Sequence, residues 1–209
     1  MTTIYWDVDT QIDFIHADGK LAVPNGEAIL GALKRVTEHA HTHGIRIVAT
    51  ADDHDVGHAE ISDAPDWQTT FPPHCMRGTI GQLKVFETEL RNPLVIHAVR
   101  QPADELHRAV STYDGDILLL KPGTDVFRWN PNAIGVLEAL HPDRIVVYGV
   151  ATDICVKAAI EGLRRLRPEA ELLVVTDAVA ALDPAAGEAL LAAWGAAGCT
   201  LVTTDDLTQ

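Results

Sequence analysis

Short apolar runs alternate with longer amphipathic segments along this whole chain, and that alternation constrains the fold more than any other feature. The runs are rich in isoleucine, valine and leucine. They lack the alternation of apolar and polar residues expected of a strand with one solvent-exposed face. We therefore predict strands that are buried on both sides. They are residues 3–8, 45–49, 93–99, 117–120, 144–148, 172–175 and 200–202. The alternation of strands and helices favours right-handed crossovers and an open, mainly parallel sheet between two helical layers. This is a three-layer α/β/α fold.

Three segments show the period of amphipathic helices: residues 26–43, 153–167 and 184–194. Gly44 is suited to end the first helix, and Asp183, which a proline follows, is suited to cap the third. No internal repeat or linker divides the sequence. We therefore expect a single domain over residues 1–209.

Charge and cysteine content argue against several classes of function. The net charge is −14, so the surface would repel nucleic-acid phosphates and anionic lipid. The three cysteines show no C-x-x-C spacing, which argues against a disulfide framework. The sequence has no basic region followed by an apolar stretch at its start and no apolar run long enough to cross a bilayer. We expect a cytoplasmic protein with neither nucleic-acid nor membrane partners.

Reactive side chains follow four of the predicted strands. Asp9 follows the first, Asp52 the second, Lys121 the fourth and Cys155 the fifth. In parallel α/β sheets the carboxyl ends of the strands meet at one edge, where ligands bind. Each residue alone has an ordinary structural interpretation, such as a buried thiol or a surface lysine, but placements that agree with one another indicate an active site.

Cys155 follows a glycine-containing turn and opens a predicted helix in the stretch GVATDIC. A helix N-terminus and a nearby lysine both lower the pKa of a thiol, so we predict a reactive thiolate here. The backbone N–H groups of the same turn suit an oxyanion hole. Lys121 would activate or orient the reacting group, and Asp9 could carry protons. Cys75 and Cys199 lack such a placement and are interpreted as structural.

Potential metal ligands collect in the polar loop of residues 51–80. They are Asp52, His54, His58 and His74. Three imidazoles and one carboxylate suit a divalent ion, Zn²⁺ above all, with Fe²⁺ or Mn²⁺ as alternatives. Asp53 and Asp55 are alternative carboxylate ligands. The histidines interpreted as structural are His41, His43, His97 and His107.

The stretch IYWDVDTQIDF raises a competing interpretation. Asp7 and Asp9 resemble the aspartate pair of the haloacid dehalogenase phosphatases, whose first aspartate is the nucleophile. That pattern expects threonine or valine where this chain has Gln11, and it leaves the cysteine and the lysine without a role. We therefore favour Asp9 as the reacting carboxylate, although Asp7 lies on the same face of the strand. Asp13 is interpreted as structural.

Taken together, these motifs resemble the isochorismatase-like cysteine hydrolases, and within them the nicotinamidase/pyrazinamidase group. The matching segments are DTQIDF, ATADDH, FPPHCMRGT, the lysine that ends ILLLK, and GVATDICV. Isochorismatases themselves lack the nucleophilic cysteine, and most other amidase branches lack the metal ligands. The resemblance implies a mainly parallel sheet of six strands between helices.

The resemblance also implies a role for each matching residue. It implies a catalytic triad of Asp9, Lys121 and Cys155, with oxyanion donors from the backbone of Ala151 and Cys155. It further implies a cis peptide bond between Val150 and Ala151.

The same resemblance implies a ligand site and a reaction. The implied metal ligands are Asp52, His54, His58 and His74, and the ion would hold the ring nitrogen of the substrate. Phe14 and Phe71 match the positions of aromatic walls, although position 71 is commonly tryptophan in the group. The implied reaction is hydrolysis of a small amide such as nicotinamide to the carboxylic acid and ammonia through a thioester. Homo-oligomers are common in the family.

Two segments depart from the group. Residues 75–120 are longer and contain an extra strand and helix at 93–111, and the loop after Lys121 lacks the usual tyrosine. Two alternatives therefore stay open: the same machinery acting on another small amide or ureide, and a non-catalytic metal-binding scaffold of the same fold.

Overall fold

Seven parallel strands form one sheet in the computed structural model, which describes residues 1–208. They are β1 (Thr3–Val8), β2 (Arg46–Asp52), β3 (Leu94–Ile96), β4 (Ile117–Lys121), β5 (Arg144–Val150), β6 (Glu171–Ala180) and β7 (Thr200–Val202). Their spatial order is β3-β4-β2-β1-β5-β6-β7, and every neighbouring pair is parallel. The predicted α/β fold is confirmed. The sheet has seven strands rather than the six that the resemblance implies, and each predicted apolar run contributes one of them.

The α-helices are α1 (Ile12–Ile15), α2 (Leu30–Thr42), α3 (Ala103–Thr112), α4 (Val126–Trp129), α5 (Ala133–Leu140), α6 (Lys157–Leu166), α7 (Pro184–Ala196) and α8 (Thr204–Thr208). Gly44 follows α2 with a left-handed φ of 64°, and the Asp183 carboxylate caps α7, so both predicted helix ends are confirmed. The predicted helix at 153–167 differs at its start, because residues 152–156 form a π-helical turn before α6. Among the helices of residues 1–208, none has the length and apolarity needed to cross a membrane.

Two predicted strands differ most in length from those observed. The run at residues 93–99 forms only the three-residue β3. The side-chain amides of Asn130 and Asn132 bind the carbonyl groups at and beyond its end, which a longer strand would offer to its neighbour. The run at residues 172–175 forms the ten-residue β6, because the strand continues past a polar Thr-Asp pair with an irregular register against β5.

The strand order places the reactive strand ends side by side. Strands β4, β2, β1 and β5 are neighbours, and Asp52 lies directly opposite Lys121 in the ladder. The strands β2 to β4 lie on one side of β1, and β5 to β7 lie on the other. The order in which strands are added to the sheet therefore switches sides at β1. Such a switch point opens a crevice at the carboxyl ends of the strands.

Each face of the sheet has its own apolar core, and alternate residues of β1 point into the two cores. Tyr5 packs edge-on against Tyr148 on the face that α2 covers, with ring centroids 6.4 Å apart. Trp6 stacks on Phe127 on the opposite face, with centroids 5.6 Å apart and an interplanar angle of 26°. Helix α6 packs into this second core, so the packing there fixes the helix that follows Cys155.

Gly162 of α6 lies directly against the stacked pair, since a Cβ added there would be 2.2 Å from Cδ2 of Phe127. Trp6 limits the movement of that ring. We therefore expect Gly162→Ala to lower the free energy of unfolding by about 1–3 kcal/mol through overpacking. Urea unfolding followed by circular dichroism measures the change.

The matched control is Gly31→Ala in α2, where an added Cβ meets nothing within 4 Å. Helix propensity alone should raise the stability of that variant by up to about 1 kcal/mol. If the two variants had equal stability, the close packing at Gly162 would be contradicted.

Candidate active site and metal centre

The Lys121 ammonium is the centre of a buried charge cluster at the carboxyl end of the sheet. Its Nζ lies 2.8 Å from Asp9 Oδ2, donates a hydrogen bond to Asp52 Oδ1, and lies 3.7 Å from Cys155 Sγ. Each of these side chains is at least nine-tenths buried. Carboxylate oxygens of both aspartates lie within 4.8 Å of Sγ. The structure therefore brings the predicted Asp9, Lys121 and Cys155 together.

Hydrogen bonds from neighbouring residues orient the two carboxylates. Asp9 leaves β1 with a positive φ of 49°, and its Oδ1 accepts a hydrogen bond of 2.6 Å from Thr50 Oγ1. The Gln11 side chain binds the backbone of Asp52 twice. Its Nε2 donates to the carbonyl at 2.9 Å, and its Oε1 accepts from the N–H at 2.7 Å. The Gln11 amide therefore continues the link between β1 and β2 past the end of β1.

Burial and charge give the two carboxylates different proton affinities. Burial raises the pKa of Asp9 against the opposing charge of Lys121, and the charge of Asp52 adds to the rise. Burial acts in the same direction on Asp52, but Lys121 and two nearby imidazoles hold its pKa well below the usual range. Although burial disfavours a charged Lys121, the Asp52 and Asp9 carboxylates hold its pKa well above the ordinary value. Asp9 is therefore the more basic carboxylate, and Lys121 stays protonated.

Cys155 lies in the π-helical turn, and the cis peptide bond predicted between Val150 and Ala151 is present. Burial raises the pKa of the Cys155 thiol well above its ordinary value, since the opposing charge of Lys121 is countered by Asp9 and other carboxylates. The lowered thiol pKa predicted from the sequence is wrong. The sequence contains the lysine and the helix, but it does not reveal a fully buried thiol among carboxylates. Such a thiol needs a base to take its proton.

A second group of buried ligand atoms adjoins the charge cluster. Asp52 Oδ2 lies 3.5 Å from both His54 Nε2 and His74 Nε2. Glu60 Oε1 lies 3.8 Å and 3.9 Å from the same two nitrogens. Burial, with the charge of Asp52, raises the pKa of Glu60 to about 7. One oxygen of Asp52 thus faces Lys121 and the other faces the imidazoles.

This donor set fits a divalent cation. Among residues 1–208, Asp52 Oδ2 and both ring nitrogens of His54 are buried without a hydrogen-bond partner, which is costly unless another group binds them. His74 Nδ1 lies 2.7 Å from the Pro72 carbonyl and so carries the proton, which leaves Nε2 with a lone pair facing the group. Two imidazoles and two carboxylates suit Zn²⁺, Fe²⁺ or Mn²⁺.

The structure places Glu60, rather than the predicted His58, with the other three ligands. His58 Nδ1 accepts a hydrogen bond from the Asp55 backbone N–H at 3.0 Å, and its ring centroid lies 5.8 Å from that of His54. Its nitrogens lie outside the group of ligand atoms. The alternative carboxylates Asp53 and Asp55 both pair with a surface arginine.

Glu60 is the site residue that the sequence analysis missed. It stands two positions after His58 in a loop without secondary-structure periodicity, and only its residue type signals a ligand. Its position depends on distant contacts. The Phe71 backbone N–H binds the Glu60 carbonyl at 2.8 Å, and the Thr124 N–H binds Glu60 Oε2 at 2.9 Å.

A narrow cavity of about 20 Å³ lies between the thiol and the ligand group. Phe14 and Phe71, the predicted aromatic walls, both line it, together with aliphatic side chains. Those are Leu21, Val23, Ile154 and Leu182. Cys155, Glu60 and His74 form its reactive and polar part. Its mostly apolar lining, with these groups at one end, suits an uncharged ligand.

The other carboxylates of IYWDVDTQIDF belong to separate contacts. Asp7 is fully buried, and it accepts hydrogen bonds from Lys84 Nζ at 2.8 Å and Thr10 Oγ1 at 2.9 Å. Asp13 Oδ2 accepts one of 2.7 Å from the Cys75 backbone N–H, which ties α1 to the loop that carries His74. Asp7 therefore anchors the segment around Lys84, and Asp13 anchors the ligand loop.

Comparison with known proteins gives a consistent set of relatives. The isochorismatase domain model matches residues 7–206. The nicotinamidase/pyrazinamidase of Mycobacterium tuberculosis is 31% identical over 155 residues, which cover 74% of each chain. The structure of the pyrazinamidase/nicotinamidase of Streptococcus mutans superposes with a TM-score of 0.70 at 27% identity, covering 96% of this chain and 100% of the other. The N-carbamoylsarcosine amidase of Thermoplasma acidophilum gives a TM-score of 0.68 at 27% identity, covering 98% of both chains.

Variants of the ligand group should separate Glu60 from His58. We expect His54→Ala and Glu60→Gln to weaken Zn²⁺ binding at least about tenfold, since the first removes a ligand nitrogen and the second replaces a charged carboxylate with a neutral amide. His58→Ala, the matched control, should bind Zn²⁺ like the parent protein. Titration of metal-stripped protein against a chromophoric chelator measures the affinities. Loss of binding in His58→Ala with none in Glu60→Gln would restore the assignment made from the sequence.

Proposed function

This chain belongs to the isochorismatase family, and on that premise we propose that it is a metal-containing cysteine amidohydrolase of the nicotinamidase type. Its substrate is a small heteroaromatic amide such as nicotinamide, which it hydrolyses to the carboxylic acid and ammonia. The observation that carries the proposal is one ammonium, that of Lys121, in contact with a thiol and two carboxylates at the end of a small cavity.

The first step is attack of the Cys155 sulfur on the amide carbonyl carbon. Asp9 Oδ2 takes the thiol proton, and the Lys121 ammonium 3.7 Å from Sγ stabilises the thiolate that forms. In the part of the chain that the structure describes, Asp9 Oδ2 is buried and makes no hydrogen bond, only its ion pair with Lys121. A raised pKa suits Asp9 to hold the proton until the leaving group needs it.

Backbone N–H groups of the nucleophile turn, residues 151–156, stabilise the charge that develops on the substrate's carbonyl oxygen. We assign this role to the N–H groups of Ala151 and Cys155. One well-placed donor of this kind contributes about 3–4 kcal/mol to the barrier reduction.

Asp9 then returns the proton to the amide nitrogen, the C–N bond breaks, and ammonia leaves. The acyl group stays on Cys155 as a thioester. A water molecule that loses a proton to Asp9 attacks this thioester, the C–S bond breaks, and the acid departs as the thiol regains its proton.

The residues that would hold a divalent ion, Zn²⁺ in the first instance, are Asp52, His54, Glu60 and His74. Such an ion supplies a Lewis acid that can hold a ring nitrogen of the substrate. Phe14 and Phe71 pack against the faces and edges of the ring, which confines it near the thiol.

A second candidate is the same chemistry on a carbamoyl-type substrate. It is favoured by the similarity to the N-carbamoylsarcosine amidase, at the same 27% identity as the pyrazinamidase/nicotinamidase structure. The two candidates differ in whether the substrate has a ring nitrogen for the ion to hold.

An amide panel tests the nucleophile and the substrate class. We expect ammonia release from nicotinamide and pyrazinamide in preference to N-carbamoylsarcosine, inhibition by a chelator, and no turnover by a folded Cys155→Ala variant. A coupled ammonia assay measures the rates. Cys199→Ala, the matched control, removes another buried thiol and should keep the activity. Substantial turnover by Cys155→Ala would refute the mechanism, and an unreactive parent protein would favour the non-catalytic scaffold.

Substitution of the two neighbouring aspartates separates the proton carrier from the anchor. We expect Asp9→Asn to lower kcat about 10²–10⁴-fold, since an amide cannot take the thiol proton. Asp7→Asn should lower stability through loss of its buried pair with Lys84 and leave kcat of the folded protein near the parent value. Steady-state kinetics combined with thermal unfolding tests both. The reverse pattern would make Asp7 the reacting carboxylate.

A further inference from the structure

The Asp153 carboxylate links the nucleophile turn to a wall of the cavity. Its Oδ1 accepts a hydrogen bond of 2.9 Å from the backbone N–H of Leu182, and its Oδ2 accepts one of 2.8 Å from the backbone N–H of Asp183. Leu182 lines the cavity together with Cys155. A side chain two positions before the thiol therefore holds the backbone of a wall residue that is distant in sequence.

Helix α7 holds the other side of the turn that carries Leu182. The Asp183 carboxylate accepts hydrogen bonds from the N–H groups of Ala185 and Ala186. Gly187 packs so closely that an added Cβ would lie 2.6 Å from the Ala181 Cβ. The turn is thus held between α7 and Asp153, and the Asp153 hydrogen bonds come from the active-site side.

The nucleophile turn has its own backbone support. The N–H groups of Ile154 and Val156 both bind the Ala151 carbonyl at 3.0 Å. Because these bonds do not involve the Asp153 side chain, loss of its carboxylate should release the Leu182 wall while Cys155 keeps its position.

We propose that Asp153 is a positioning residue that sets the size of the cavity beside Cys155. By holding Leu182 against the cavity, it limits the acyl group that reaches Cys155 to a single flat ring and excludes fused two-ring amides. The statement about amides rests on the proposed function, whereas the statement about access to Cys155 does not.

The test variant is Asp153→Asn. It keeps the size of the side chain, but an amide nitrogen cannot accept a hydrogen bond, so at least one of the two N–H groups loses its partner. The first readout is the ratio of kcat/KM for quinoline-3-carboxamide to that for nicotinamide. The second is the ratio of the alkylation rates of Cys155 by 2-iodoacetanilide and by iodoacetamide, measured on the Cys155 peptide by mass spectrometry.

We expect both ratios to rise roughly tenfold, the effect of about one methylene of pocket size. The kcat for nicotinamide should change little, and its KM should rise. Leu182→Ala should raise both ratios by itself, and adding Asp153→Asn to that variant should raise them no further, because the two residues act through the same wall.

The matched control is Asp177→Asn. The Asp177 carboxylate also clamps a distant backbone, accepting hydrogen bonds of 2.8 Å and 2.6 Å from the N–H and hydroxyl groups of Thr204. Neither residue lines the cavity, so both ratios should stay at the parent value.

Unchanged ratios in Asp153→Asn, or an equal rise when it is added to Leu182→Ala, would overturn the proposal. If Asp153→Asn does not fold, the replacement variant is Asp153→Glu, which displaces both acceptor oxygens by one methylene. We expect the same rise in both ratios, and unchanged ratios would again overturn the proposal. If the parent protein hydrolyses no amide, the proposed function fails, while the alkylation ratio still decides whether Asp153 controls the wall.

Discussion

The site depends on one ammonium buried between two carboxylates. Taking each of these charges out of water costs several kcal/mol, and the charges must compensate one another for the cluster to exist. Lys121 contacts both Asp9 and Asp52. The parallel ladder between β2 and β4 sets Asp52 directly opposite Lys121, and β1, which ends just before Asp9, is the other neighbour of β2. The sheet register therefore supplies this compensation. The thiol, the ligand loop and the cavity walls are all arranged around it.

Asp52 joins the two chemical halves of the site. Its Oδ1 accepts a hydrogen bond from Lys121, and its Oδ2 faces the two imidazoles and Glu60. A cation bound at Oδ2 would draw negative charge away from Lys121, which would in turn act more strongly on Asp9 and Cys155. In this arrangement the occupancy of the ligand group and the protonation of the thiol would be electrostatically linked through Asp52.

The sequence predicted those parts of the structure that local pattern encodes. Apolar runs marked all the strands, and the position of Asp9, Lys121 and Cys155 after strands placed them at one edge because parallel strands share a direction. Glu60 could not be found in this way, since its place depends on backbone contacts with Phe71 and Thr124, far along the chain. The raised pKa of Cys155 likewise follows from three-dimensional burial among carboxylates, which no spacing in the sequence reports.

Gln11 has a mechanical consequence for this site. Strand β1 has already ended where Gln11 stands, so its own backbone ladder no longer sets the distance between β1 and β2. The covalent length of one side chain does so instead, because its amide grips the carbonyl and the N–H of Asp52 together. An asparagine would be a methylene too short, and a glutamate would lack the donor. The long polar loop that starts beyond Asp52 therefore begins at a fixed position, and a displacement within that loop need not reach Asp9.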